Sequence, residues 1–122
     1  MKALTVRQPW ASAIIWAGKD VENRSRPSSC RGRLWIHAGL RLEAADVLPA
    51  GTPVPRGAII GYVTLTGCVQ GSASPWAIPG YWHWQLADPV ALAEPIPARG
   101  ALGLWQLPPE LIGLAGYLAE QT

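Results

Sequence analysis

The sequence predicts a mainly β, α+β fold: a small mixed barrel with two or three short helices. Short apolar strand signals outnumber helical ones, and Gly- and Pro-rich turns separate them. Helices do not alternate regularly with strands, and no Gly-rich fingerprint stands between a strand and a helix, so a doubly wound nucleotide-binding sheet fits poorly. With 122 residues, 49% hydrophobic and 15% charged, the chain supports one core and is too apolar for disorder, so residues 1–122 are read as a single domain.

Leu4-Thr5-Val6 reads as a short strand, and Pro9 opens a helix because its fixed φ suits the first helical position. Within residues 9–17, Ala11, Ile14 and Ile15 share one helical face, and Gly18 supplies the left-handed residue that ends helices. Val21 to Arg24 can run extended, with Glu22 and Arg24 projecting to one side and Val21 and Asn23 to the other. Arg33 to Ala38 alternates as a strand: Leu34, Ile36 and Ala38 on one face, Arg33, Trp35 and His37 on the other. Leu40 to Leu48 has helical spacing, ending before the Pro/Gly-rich stretch Pro49–Pro55, which reads as a surface loop. Gly57 to Thr66 is rich in β-branched residues and predicts a core strand covered on both sides. After a Gly/Ser/Pro-rich segment at 71–80, Tyr81 to Leu86 sets Trp82, Trp84 and Leu86 against Tyr81, His83 and Gln85. Leu102–Leu107 is a last strand, and Pro108-Pro109-Glu110 opens a helix through Leu118.

The net charge of +2 is unevenly spread. Lys19, Arg24, Arg26, Arg31, Arg33 and Arg41 outweigh Asp20 and Glu22 in residues 19–41, whereas acidic residues dominate from residue 42 onward. Cations gathered in one segment of a nearly neutral chain suit a local anionic ligand better than an extended duplex-binding face. No apolar run approaches the roughly 20 residues of a membrane-spanning helix. The N-terminal residues lack an uninterrupted apolar stretch, so the expectation is a cytoplasmic protein without membrane association. Cys30 and Cys68 lie far apart without a His at metal-ligand spacing; reduced thiols, no metal and no cofactor are expected.

The densest chemistry is Gly18-Lys19-Asp20-Val21-Glu22-Asn23-Arg24, where donors and an acceptor follow a helix end within a few residues. A helix C-terminus repels anions, so an anion here must be held by side chains. Asp20 and Glu22 favour a charged Lys19, which casts it as a fixed cation beside Arg24 and leaves Glu22 as the local candidate base. Trp16, Trp84 and Trp105 sit among aliphatic residues and are assigned to the core of a chain with no Phe; Trp10 and Trp35 are the candidates for base stacking. His37 shares a face with Arg33 and Trp35, and both it and His83 lack a second metal ligand nearby.

Read together, Arg7-Gln8-Pro9-Trp10-Ala11, the Gly18–Arg24 stretch, Arg31-Gly32-Arg33-Leu34-Trp35-Ile36-His37-Ala38 and Gly57-Ala58-Ile59-Ile60-Gly61 resemble the ASCH domain family. The Gly-x-Lys-x-x-Glu-x-Arg element falls on Gly18, Lys19, Glu22 and Arg24, and Pro95 to Gly100 followed by Leu104-Trp105 resembles the family's closing strand. The resemblance implies a PUA-like β-barrel whose relatives bind RNA, with a cleft lined by that element. It implies RNA or a nucleoside or nucleotide as partner, held by Lys19, Glu22 and Arg24; Arg7 and Gln8 beside Trp10, and Arg33 and His37 on the strand face of Trp35, are the further candidate ligand-binding residues.

Some similar proteins are amidohydrolases of acetylated cytidine, and others have been proposed to bind or cleave RNA. In the hydrolytic group a threonine nucleophile follows the lysine by three residues. This chain has Glu22 there, so a covalent threonine mechanism does not carry over. Hydrolysis would instead use Lys19 to polarise a carbonyl and Glu22 to activate water. A third expectation is a protein-interaction module built on the Trp-rich surface.

Overall fold

The computed structural model describes residues 1–121. In chain order the elements are β1 (Lys2–Gln8), α1 (Trp10–Trp16), β2 (Val21–Arg24), β3 (Gly32–Leu42), a 3-10 turn (Ala45–Val47), β4 (Ala58–Val69), β5 (Trp82–Pro97), β6 (Leu104–Gln106) and α2 (Pro109–Gln121). The strands form one sheet in the order β2-β5-β4-β3-β1-β6. β1 and β3 run parallel and the other neighbours antiparallel.

The expected barrel is a mixed sheet that does not close, with β2 and β6 as its edges. Edge strand β2 nevertheless meets β1, the neighbour of the other edge, through a side chain: the Arg24 guanidinium donates to the Thr5 carbonyl at 3.1 Å. Apart from this contact a seam is left between the two strands, which are not neighbours in the sheet.

Two apolar layers cover the sheet. α1 lays Ala11, Ile14 and Ile15 on Leu34, Ile36, Val63, Leu65 and Trp84, and these side chains are withdrawn from water. Full burial of one such aliphatic side chain stabilises the fold by about 1.5–3 kcal/mol. On the opposite face Trp35, Ile59, Leu92 and Ile96 pack with Ala115 of α2. β3 is therefore apolar in both directions, and the face carrying Trp35 and His37 lies inside the protein.

Local rules explain most elements. Gly18 has φ 76, a left-handed conformation that lets the chain leave α1 while the amides of Ala17 and Lys19 both donate to the Ala13 carbonyl. The helical spacing of Leu40–Leu48 misleads: β3 continues to Leu42, and only Ala45–Val47 is helical, as a single 3-10 turn. Pairing with β1 overrides the local pattern there, through the Gln8↔Leu42 contact. β5 runs far beyond Leu86 because Asp88 and Pro89 fall in a bulge between the pairs Tyr62↔Val90 and Thr64↔Ala87. A bulge tolerates the missing proline donor, and Asp88 adopts φ 51 there. No helix among the described residues is long and apolar enough to cross a membrane.

Candidate functional site

The seam opens into a cleft of about 800 Å³ whose floor is the Lys19–Glu22–Arg24 cluster. The volume is in the range of small-ligand sites. The turn at Gly18 places Lys19 beside β2, and the two-residue period of that strand puts Glu22 and Arg24 on one side. Lys19 Nζ donates to the Val21 carbonyl and to Glu22 Oε1, the latter at 3.1 Å. Glu22 Oε2 receives Arg24 Nε at 3.0 Å and lies 2.8 Å from Arg24 Nη2. Lys19 is 5% and Glu22 7% exposed while the Arg24 side chain is 29% exposed, so a buried Lys19–Glu22 pair is extended to a half-buried arginine and one carboxylate serves two cations. Such groups are tolerated away from water only when paired and hydrogen-bonded, and each is.

Two loops form the walls, and a buried histidine holds each. His83 accepts the Ser72 amide at Nδ1 (3.0 Å) and donates from Nε2 to the Ile78 carbonyl (2.8 Å). Asn23 reinforces this loop, donating from Nδ2 to the Trp76 carbonyl and accepting the Ile78 amide. Trp76, Ile78 and Tyr81 thereby face the cleft. On the other side His37 Nε2 donates to the Ala98 carbonyl at 2.6 Å, and Nδ1 lies 3.2 Å from Thr5 Oγ1. A carbonyl only accepts, so Nε2 carries the proton and Nδ1 accepts from the Thr5 hydroxyl. Thr5 Oγ1 in turn receives Trp105 Nε1 at 3.1 Å and the Ala101 amide at 3.4 Å. Burial holds the His37 pKa below its ordinary value, opposed in part by the bond to Ala98. Gly100 must be small: a Cβ there would lie 2.5 Å from Thr5 Oγ1 and 2.8 Å from the His37 ring.

The outer lip repeats the floor's pattern in solvent. Glu43 accepts Arg7 Nη1 at 3.2 Å and Trp10 Nε1 at 3.0 Å. Its carboxyl is held below the usual range first by the Trp10 bond and then by Arg7.

Of the residues expected at the site, Arg7, Trp10, Lys19, Glu22 and Arg24 line the cleft. Gln8 does not; its carboxamide is buried, bonded to Ser12 and to the Pro55 carbonyl, and ties β1 to α1 and to the loop before β4. Arg33 lies away from the cleft, 4.2 Å from the Tyr62 ring centroid, where it adds a cation–π contact. Trp35 is 0% exposed and cannot stack on a base in this structure. His37 acts behind the wall through Thr5. Trp16, expected in the core, is 36% exposed, whereas Trp84 is buried and Trp105 partly buried. Thr5, Asn23, Trp76 and Tyr81 join the cleft without having been singled out by sequence. Among the described residues no three His, Cys, Asp or Glu side chains group as a metal site.

A family model described as the ASCH domain matches residues 4–95. The human protein "Activating signal cointegrator 1" is 30% identical over 132 residues, a match covering 85% of this chain and 22% of that protein. Its mouse counterpart is 29% identical over 126 residues with the same coverage. The chain thus spans about a fifth of the length of these relatives. Among solved structures, the crystal structure of ASCH from Zymomonas mobilis superposes with TM-score 0.66 at 19% identity, covering 96% of this chain and 94% of that one. A point mutant of the same protein gives TM-score 0.66 at 19% identity, covering 96% of both chains. At that identity the likeness concerns the fold, which agrees with the PUA-like expectation. The family match spans most of the chain, and the chain belongs to the ASCH domain family.

Proposed function

We propose that the cleft binds single-stranded RNA or a nucleotide-like ligand, with Lys19 and Arg24 gripping an oxyanion or carbonyl and Glu22 fixing their positions. The supporting observation is the buried Lys19–Glu22 pair, joined by the half-buried Arg24, at the floor of an open cleft whose upper walls carry Trp10, Trp76 and Tyr81. Charged donors work best where water is scarce and their geometry is fixed in advance. Aromatic side chains above them offer surfaces on which unstacked bases can lie. Arg7 at the lip adds a charge for the backbone. Binding to an RNA hexanucleotide, followed across salt concentration, tests the reading. Neutralisation of three or four phosphates gives a log–log slope of roughly −2 to −3. Affinity independent of salt, or unaffected by Lys19→Met, would overturn it.

A second reading, hydrolysis of acylated cytidine-type nucleosides, draws on the 3.1 Å Lys19–Glu22 contact beside open space. There Lys19 would polarise the amide carbonyl and Glu22 would take a proton from water. Release of acetate from N4-acetylcytidine by the wild type and its loss in Glu22→Gln would support this reading. No release by the wild type would remove it.

A further inference from the structure

We propose that Leu102 is a wedge that enters the base stack of single-stranded RNA and parts the nucleotide seated in the cleft from its neighbour. This rests on the reading of the cleft as a nucleotide site and names what that site does to its strand. Leu102 lines the cleft and is 99% exposed, although leucine is among the residues most often buried. One exposed leucine is ordinary on a protein surface, but this one does not stand alone. Ile78 (52%), Val47 (48%) and Tyr81 (43%) are also exposed and line the same cleft, from segments far apart in the chain. The fold gathers apolar side chains at one mouth and leaves them in water.

The turn that carries Leu102 is pinned on both sides. Before it, the Ala98 carbonyl accepts His37 Nε2 and the Ala101 amide donates to Thr5 Oγ1. After it, Gly103 takes the left-handed φ of 63 and Leu104 pairs with Leu4 in the sheet. Only Leu102 and Gly103 lie between these anchors, so the leucine is held out on a two-residue tip. The other wall, with Trp76 and Tyr81, is held by Asn23 and His83. The mouth therefore stands open before a ligand arrives, and little ordering is left for binding to impose. The charge of the lining points to the occupant. Arg7, Lys19 and Arg24 stand against the one carboxylate of Glu22, which matches a strand with an anionic backbone and apolar base faces better than an apolar peptide or a lipid surface. Leucine is one of the narrow apolar side chains that proteins insert between base steps. Insertion breaks the contact between two bases and frees a face to lie on an aromatic wall.

Two measurements on the wild type, Leu102→Ala, Leu102→Met and Leu40→Ala test the wedge. Leu40 is 78% exposed and does not line the cleft, so it serves as the control. The first measurement is the circular dichroism band of a stacked adenosine hexanucleotide at saturating protein. The band should fall with the wild type, Leu102→Met and Leu40→Ala, and keep its free-strand size with Leu102→Ala. The second is anisotropy of a labelled uridine hexanucleotide, whose bases hardly stack in solution. Leu102→Ala should bind it about tenfold more weakly, and the other variants like the wild type. The adenosine hexamer should lose less in Leu102→Ala, because the step no longer held open regains its own stacking. An unchanged band with bound wild type, an equal fall with Leu102→Ala, or wild-type uridine affinity in Leu102→Ala overturns the wedge while leaving the cleft an RNA site. The band arm on the wild type needs no variant to fold. Absence of binding by both hexamers overturns the nucleotide reading and the wedge with it.

Discussion

Glu22 lines the cleft and Glu43 holds two of its lining residues, Arg7 and Trp10; each carboxylate is shared between two donors, yet one lies at the floor away from water and the other beside the lip within it. At the lip, solvent already satisfies Arg7 and Glu43, whose side chains are 59% and 44% exposed, so the pair adds little to stability. At the floor no solvent replaces a lost partner. Removing Glu22 leaves Lys19 as a buried charge with one carbonyl, and the same chemical pattern becomes a condition for holding the seam together. The comparison separates a geometry that resembles a site from one that the fold is built to hold.

The largest expected effect follows directly. Glu22→Ala should destabilise the protein by about 3–5 kcal/mol, the usual consequence of breaking a buried ion pair on one side. The midpoint of urea unfolding measures it. Glu43→Ala in the same experiment should leave the midpoint nearly unchanged. Equal shifts would mean that burial does not distinguish the two carboxylates.

Stacking comes next. Trp10→Ala and Trp76→Ala should each weaken RNA binding by about 1–3 kcal/mol per stacked base, measured by titration. Trp35→Phe should leave affinity unchanged, because that ring lies in the opposite apolar layer. A loss of affinity in the Trp35 variant equal to those of the cleft variants would place the ligand elsewhere.

A smaller effect concerns pH and the wall held by His37. Its folded-state pKa is depressed by burial, so below the unfolded value of about 6.5 the unfolded chain takes up a proton that the folded chain refuses. The histidine's contribution is fully present above that pH and declines as pH falls towards the folded-state value. Unfolding midpoints between pH 7.5 and 5.5 should therefore drop more in the wild type than in His37→Gln. A steeper drop in the variant would contradict the neutral tautomer bonded to Thr5 and Ala98.

The parts of this site that were legible in the sequence are those made by neighbours along the chain. Gly18 ends a helix, Lys19 follows it, and a two-residue strand period joins Glu22 to Arg24, so the floor could be read directly. The walls could not. Trp76 and Tyr81 reach the cleft because β2 pairs with β5 through Asn23↔His83 and Arg24↔Trp82, contacts that depend on topology. Gln8, Trp35 and His37 show the opposite failure. A polar or aromatic residue on a strand face looks available for a ligand, but Gln8 and His37 spend their hydrogen bonds inside the protein and Trp35 is covered by the second apolar layer. The strand following Leu86 was hidden by Pro89, which reads as a breaker until the bulge that houses it is seen.

The central claim is that the buried floor, and not the exposed lip, supplies the grip. Its most direct test is the dissociation constant of a uridine hexanucleotide for the wild type, Lys19→Met and Glu43→Gln at one low salt concentration, with folding of each checked by circular dichroism. The account predicts a loss of about tenfold or more for Lys19→Met, from the missing charged hydrogen bond, and nearly unchanged affinity for Glu43→Gln. Wild-type affinity in a folded Lys19→Met protein would contradict it.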